Sequence, residues 1–163
     1  MVLVPGRRRL LRGAMALAAA AAWPSARACE FWSTSLRIVH PWSRATPADA
    51  TAALVCMRFD EVQQDDRLTG VDTPLAESAE TTGPGTGPGV DLKIPAGRET
   101  LLEETGTVLR LLGLRQPLLV GRSYPLTLHF ERGGSVQTNL SIDFGGLRFS
   151  RAGETARAAR ARA

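Results

Sequence analysis

The side chains in this sequence that could do chemistry are few. Past residue 28 the chain holds two histidines, His40 and His129, one methionine, Met57, and two cysteines, Cys29 and Cys56. Imidazole, thioether and thiolate are the donors that copper and zinc take, but a metal needs several of them on one face at a fitting spacing. These five fall at no such spacing. His129 stands at a polar position of an alternating segment, and His40 precedes Pro41 and Trp42 where a strand end would fall. Each reads as an ordinary surface or strand-end histidine, which leaves His40 and Met57 as weak alternative ligands. The carboxylates of "DEVQQDD" (60–66) lack the alternation and the glycine of a calcium loop, so they read as a solvated turn. Serine, histidine and aspartate all occur, yet no nucleophile elbow presents a serine. The glycines of "GPGTGPG" (83–89) alternate with prolines and open no helix, so they offer no cradle for phosphate. No enzyme is expected.

The ends of the chain differ from its middle. "MVLVPGRRRLLRGAMALAAAAAWPSARA" (1–28) has a basic start, an Ala/Leu run and a small-x-small end at Ala26 and Ala28, the pattern of an export signal cut before Cys29. "GRRRLLR" also fits a twin-arginine signal, so both the general and the twin-arginine route stay open. The apolar run is too short for a stable membrane-spanning helix. Residues 145–163 hold five arginines against Glu154 alone and few core-forming side chains, so a solvated, disordered Arg/Ala-rich tail is expected there. Between them, residues 29–144 carry ten basic and fifteen acidic side chains. The folded part is therefore acidic, and the net charge of +4 for the whole chain gives no ground for a nucleic-acid partner. Two cysteines in an exported chain allow one disulfide, worth about 3 kcal/mol. A buried, unreactive Cys56 and a lipid-modified Cys29 are the alternatives.

The elements that must position these residues are strands. Short apolar segments recur between Gly, Pro and Asp clusters, at the spacing of an antiparallel β domain. "LRIVHPW" (36–42), "TAALVCMRF" (51–59), "RLTGVDTP" (67–74), "VDLKIPAG" (90–97), "TVLRLLGL" (107–114), "YPLTLHFE" (124–131) and "SVQTNLSIDF" (135–144) are the strand candidates, with "AESAETT" (76–82) and "ETLLEE" (99–104) weaker ones. "SRATPADA" (43–50) is a polar connection and "RGG" (132–134) a hairpin turn. Alternation places Leu126, Leu128 and Phe130 inward and Thr127, His129 and Glu131 outward. It places Leu109 and Leu111 on one face, and Val108, Arg110 and Leu112 on the other. No segment has helical periodicity, and one all-β domain over 29–144 is predicted.

The order of these segments resembles a known family. "HPWSRATP", "TAALVCMRF", "DRLTGVDTPLAESAE", "IPAG", "GLRQPLLVG" and "YPLTLHFERGGSV" are similar to the periplasmic copper chaperones of the PCu(A)C type, over about residues 35–142. The most distinctive pieces are the W-x-R-A-T-P block at 42–47 and the G-L-x-Q-P-L-x-x-G block at 113–121. The resemblance implies a cupredoxin-like Greek-key β-barrel or sandwich in the periplasm. It also implies carriage of Cu(I) to copper enzymes, notably the copper centre of cytochrome c oxidase.

The family's site uses an early His, a Met further on and a late His-x-Met pair. Laid on that pattern, Val108 takes the late His position, Arg110 the late Met position, and the early His falls on or near Thr82. The stretch "GPGTGPGVDLK" that would supply the first Met contains none. A guanidinium has no lone pair to give and brings a positive charge to a cation's place. Copper(I) is thus implied by the family while its ligands are absent, so no metal residue is assigned. The expected alternatives are an accessory β-sandwich binding a periplasmic or membrane-bound partner protein, or copper handling through other groups such as His40, Met57, Cys56 or Cys29. Arg110 is expected at the barrel rim, its head in solvent or near a carboxylate.

Overall fold

The computed structural model describes residues 29–144, and the export signal read over 1–28 and the tail read over 145–163 lie outside the described residues. Ten strands form: β1 (Glu30–Trp32), β2 (Arg37–Arg44), β3 (Ala52–Asp60), β4 (Asp66–Asp72), β5 (Ser78–Thr82), β6 (Leu92–Ile94), β7 (Thr100–Leu102), β8 (Val108–Leu112), β9 (Ser123–Phe130) and β10 (Gly134–Asp143). Among the described residues there is no helix. The strands share one sheet in the order β5-β8-β3-β2-β10-β9-β4-β6, with β1 added to β2 and β7 added to β3. Only β2 and β10 run parallel. The two ends of that order are tied together by Thr81, whose amide bonds the Gly89 carbonyl at 2.8 Å and whose hydroxyl accepts from the Asp91 amide at 3.0 Å. The curled sheet is a nearly closed barrel.

The core fills its inside, and strand alternation decides what enters it. On β3, Ala53, Val55, Met57 and Phe59 point in, while Leu54 is exposed. Leu109 and Leu111 of β8 and Leu126, Leu128 and Phe130 of β9 join them, as their pattern predicts. Phe59 and Phe130 meet edge to face, ring centres 5.8 Å apart. Truncating such a buried leucine to alanine costs about 2–5 kcal/mol.

Two bulges then change which face later residues occupy. On β2, Val39 pairs with Arg58 but Trp42 pairs with Cys56, so β2 carries one extra residue. That residue reverses the alternation. Ile38 points inward, and without the bulge Trp42 would too; instead it stands outward beside Cys56. His40 sits in the bulge at φ 49°, its amide bonded to the Cys29 carbonyl at 2.8 Å, and Pro41 has no N–H to lose there. A second slip on β4, between Leu68 and Gly70, sets Gly70 opposite His129.

Several expectations need correction. β1 was not foreseen; its three residues are too few to show a period. β2 runs on through Ser43 and Arg44, which the sequence assigns to a polar connection. The acidic "DEVQQDD" is not simply a solvated turn, because Asp66 is only 6% exposed. Its carboxylate accepts from the Ser35 hydroxyl (2.5 Å) and from the amides of Arg67 (2.8 Å), Arg132 (2.9 Å) and Gly133 (2.9 Å). It fixes the β9–β10 turn to the start of β4. The glycines that bound the 113–121 block both adopt the left-handed conformation, φ 67° at Gly113 and φ 74° at Gly121, where a side chain is strained.

Candidate functional site

The outward residues of four neighbouring strands form two rows. Thr82 of β5 is paired with Val108 of β8. The β8–β3 register sets Leu109 opposite Val55, so Val108 lies beside Cys56, and Cys56 pairs with Trp42 of β2. The first row is therefore Thr82, Val108, Cys56, Trp42. Two residues along, Glu80 pairs with Arg110 and Arg110 with Leu54. Ser43 pairs with Val55, which brings Arg44 across from Leu54 one step on. The second row is Glu80, Arg110, Leu54, Arg44.

The first row is apolar and closed. Val108, Cys56 and Trp42 pack as a small buried cluster apart from the main core. Burial pushes the Cys56 thiol up to about 11, helped by the negative charges of Glu104 and Glu103. It is therefore a neutral thiol near pH 7 in the metal-free protein, and a metal would have to displace its proton. The Trp42 indole N–H is buried with no hydrogen-bond partner.

The second row is ionic. Arg110 donates from Nη1 to Glu80 Oε1 at 2.8 Å, so the carboxylate expected near Arg110 is its cross-strand neighbour. Arg44 holds Glu104 with two bonds, from Nε to Oε1 and from Nη2 to Oε2, the latter at 2.7 Å. That bonding raises the Arg44 guanidinium above its ordinary value and holds the Glu104 carboxyl below its own. A cavity of about 240 Å³ opens over this row, lined by Arg44, Arg110, Glu104, Leu54, Ala52 and Thr46 among others.

The remaining candidates lie elsewhere. Met57 is fully buried in the main core, on the face of β3 opposite Cys56. His40 lies 3.3 Å from Asp143 through Nε2. Cys29 is exposed, Cys56 is buried and both thiols are free, so no disulfide joins them here. Among the described residues no group of three His, Cys, Asp or Glu side chains could hold a metal ion. His129 has partners that the sequence did not reveal: Ser135 at 2.7 Å on Nδ1 and Asp72 at 2.7 Å on Nε2. The Asp72 side chain is 80% exposed, however. Water therefore screens the charge that a buried relay would need to polarise the imidazole.

A nearly closed all-β barrel of this topology falls in the cupredoxin-like fold class. Residues 36–142 match the family "Putative lipoprotein LpqE-like". The chain belongs to this LpqE-like family, within the PCu(A)C-type copper chaperones. Among solved structures, the apo PCuAC domain from PmoF1 is 25% identical, with a TM-score of 0.66 over 71% of this chain and 99% of that one. The copper-bound PCuAC domain from PmoF2 is 23% identical, with a TM-score of 0.65 over 71% and 98%. The solution structure of CuI-DR1885 from Deinococcus radiodurans is 26% identical, with a TM-score of 0.54 over 78% and 84%. No curated protein matches the chain.

The residues that the resemblance lays on the family's ligand positions offer copper(I) no soft donor. Thr82 and Val108 face each other across two strands without a soft donor between them. Arg110, two residues from Val108, offers only N–H groups and a positive charge. The one sulfur in the row is the buried Cys56 thiol, and neither row holds a histidine or methionine to join it. No step involving the metal can be derived from this donor set.

Proposed function

We propose that this protein is an exported member of the copper-chaperone family that does not carry Cu(I) at the family's ligand positions. It serves instead as a binding module for a periplasmic or membrane-bound partner protein, in the family's setting of copper delivery to cytochrome c oxidase. The observation that carries this reading is the Arg110–Glu80 pair beside Thr82 and Val108. Support for export comes from the composition of residues 1–28 and from a family described as lipoprotein-like. No helix among the described residues is long and apolar enough to cross a membrane. No catalytic step is assigned.

The test is a titration of the protein with Cu(I) against a competing chelator. The expected result is no stoichiometric binding. Tight one-to-one binding, lost on His40→Ala or Met57→Ala, would overturn the reading in favour of copper carriage through non-family ligands.

A further inference from the structure

Beside the positions laid on the family's ligands, two guanidiniums line one cavity, and we propose that the cavity binds a carboxylate. The inference rests on the reading above that no cation is held there. Arg110 and Arg44 stand on the strands to either side of β3, in one cross-strand row with Leu54 between them. Strands are spaced just under 5 Å, which puts their Cα atoms about 10 Å apart, within reach of a shared anion. Arg110 gives Glu80 one of its five donors, and Arg44 gives Glu104 two. The other donors remain to grip an oxygen pair in the forked geometry that suits guanidinium.

Charge and size narrow the ligand. The lining carries Arg44, Arg110 and Glu104, while Glu80, the partner of Arg110, stands outside it, so an incoming carboxylate takes the guanidinium donors that these two pairs leave over. The larger cavity of about 520 Å³ beside β4 and β6 has three carboxylates in its own lining, Asp65, Asp66 and Glu131, beside Arg67, Lys93 and Arg132. At about 240 Å³ the arginine cavity lies below the usual range for drug-sized ligands, so it fits a short chain. Leu54 and Ala52 give an apolar floor to the methylenes between charged ends. A short dicarboxylate meets these terms, as does the terminal carboxylate of a peptide.

The full chain is titrated with succinate at constant ionic strength, followed by calorimetry and by the amide shifts of Ala52 and Leu54. Saturable binding with a Kd on the order of 1 mM is expected, and none to neutral succinamide. Arg44→Gln and Arg110→Gln each weaken it about tenfold, while Arg132→Gln, in the larger cavity, leaves it unchanged. Glu80→Gln and Glu104→Gln remove the internal competitors and tighten it. A peptide with a free C-terminus, compared with its C-terminal amide, separates a partner's chain end from a free acid as the source. Absence of saturation, equal loss in Arg132→Gln, or weaker binding in Glu80→Gln would each overturn the proposal. Cu(I) binding with succinate binding intact sinks only the earlier reading; failure of both ligands to bind sinks only this one.

Discussion

Restoring the missing donors tests the site most directly. Thr82→His, Val108→His and Arg110→Met together place two imidazoles and a thioether on one face of the β5–β8 pair. The geometry favours this: Thr82 and Val108 are direct cross-strand partners, whose Cβ atoms lie about 5 Å apart, and residue 110 shares their side of the sheet. The cost is worked out residue by residue. Val108 is 5% exposed and packed against Trp42 and Cys56, so a histidine there overpacks by about 1–3 kcal/mol. The Arg110 and Glu80 side chains are 40% and 32% exposed, so breaking their pair costs no more than about 1 kcal/mol. Thr82 is half-buried on an edge strand, where a substitution usually stays within about 0.5 kcal/mol. The apo triple variant should lose about 2–4 kcal/mol. Cu(I) at a thousand times its Kd returns about 4 kcal/mol by mass action. Calorimetric melting should therefore show a Tm that falls in the apo variant and returns with Cu(I), while the parent's Tm ignores the ion. Arg110→Met alone supplies one soft donor and should not bind. Should the triple variant ignore Cu(I), or the parent match it, the assignment of these positions is wrong.

Other expectations follow from single residues. Asp66→Asn should lower stability in urea by about 2–4 kcal/mol, since the buried carboxylate loses charge-assisted bonds from Ser35 and three amides. Burial pushes the Asp66 carboxyl up, but the bonds from Ser35, Arg132, Arg67 and Gly133 outweigh it and hold the group below its ordinary value. Its contribution is thus complete above the unfolded value of about 3.9 and fades as pH falls through the lower folded one, so acid unfolding of Asp66→Asn should lack that component. Thiol titration of the native chain near pH 7.5 should count Cys29 alone and in denaturant both cysteines; two fast thiols in the native state would contradict a buried Cys56. Gly113→Ala should destabilise by about 1–2 kcal/mol or more, because φ is 67° and an added Cβ would lie 2.8 Å from Glu77 Oε2. Gly97→Ala shares the left-handed strain without a close neighbour and serves as the comparison, measured by the same urea melts.

What the sequence disclosed depended on the length of the pattern. β8 and β9 alternate over enough residues for their inward and outward sides to be read directly, and Arg110 could be placed on the outer side before its partner was known. β1, with three residues, carries no period to read. The bulges are the deeper reason for what stayed hidden. A single extra residue at His40–Pro41 turns Trp42 outward, and nothing local in "IVHPWSR" marks where the alternation reverses. So Trp42 and Arg44, the residues that β2 gives to the two rows, have no face that the sequence alone assigns. Asp66 was misread because its partners Ser35, Arg132 and Gly133 are far away in sequence, and only the folded chain brings their donors together.

The outer face of β5 and β8 can change without loss of the fold, and the reason is structural. On a strand, residues at even and odd steps serve opposite faces, so Leu109 and Leu111 hold the core while Val108 and Arg110 face the site. A change at 108 or 110 is sensed by Cys56, Trp42 and Glu80, not by Phe59 or Leu128. The half-exposed Arg110–Glu80 pair adds about 1 kcal/mol at most, so the fold depends little on what occupies that position. A change of charge at position 110 therefore disturbs the barrel little. On this reasoning, substitutions on the outer face of β5 and β8 should alter which ligand binds far more than how stably the chain folds. Leu109→Ala on the inner face should do the reverse, costing about 2–5 kcal/mol in a urea melt while leaving the affinity of the remaining folded protein for succinate within twofold. A larger change in that affinity would show that core and site are coupled through the strand after all.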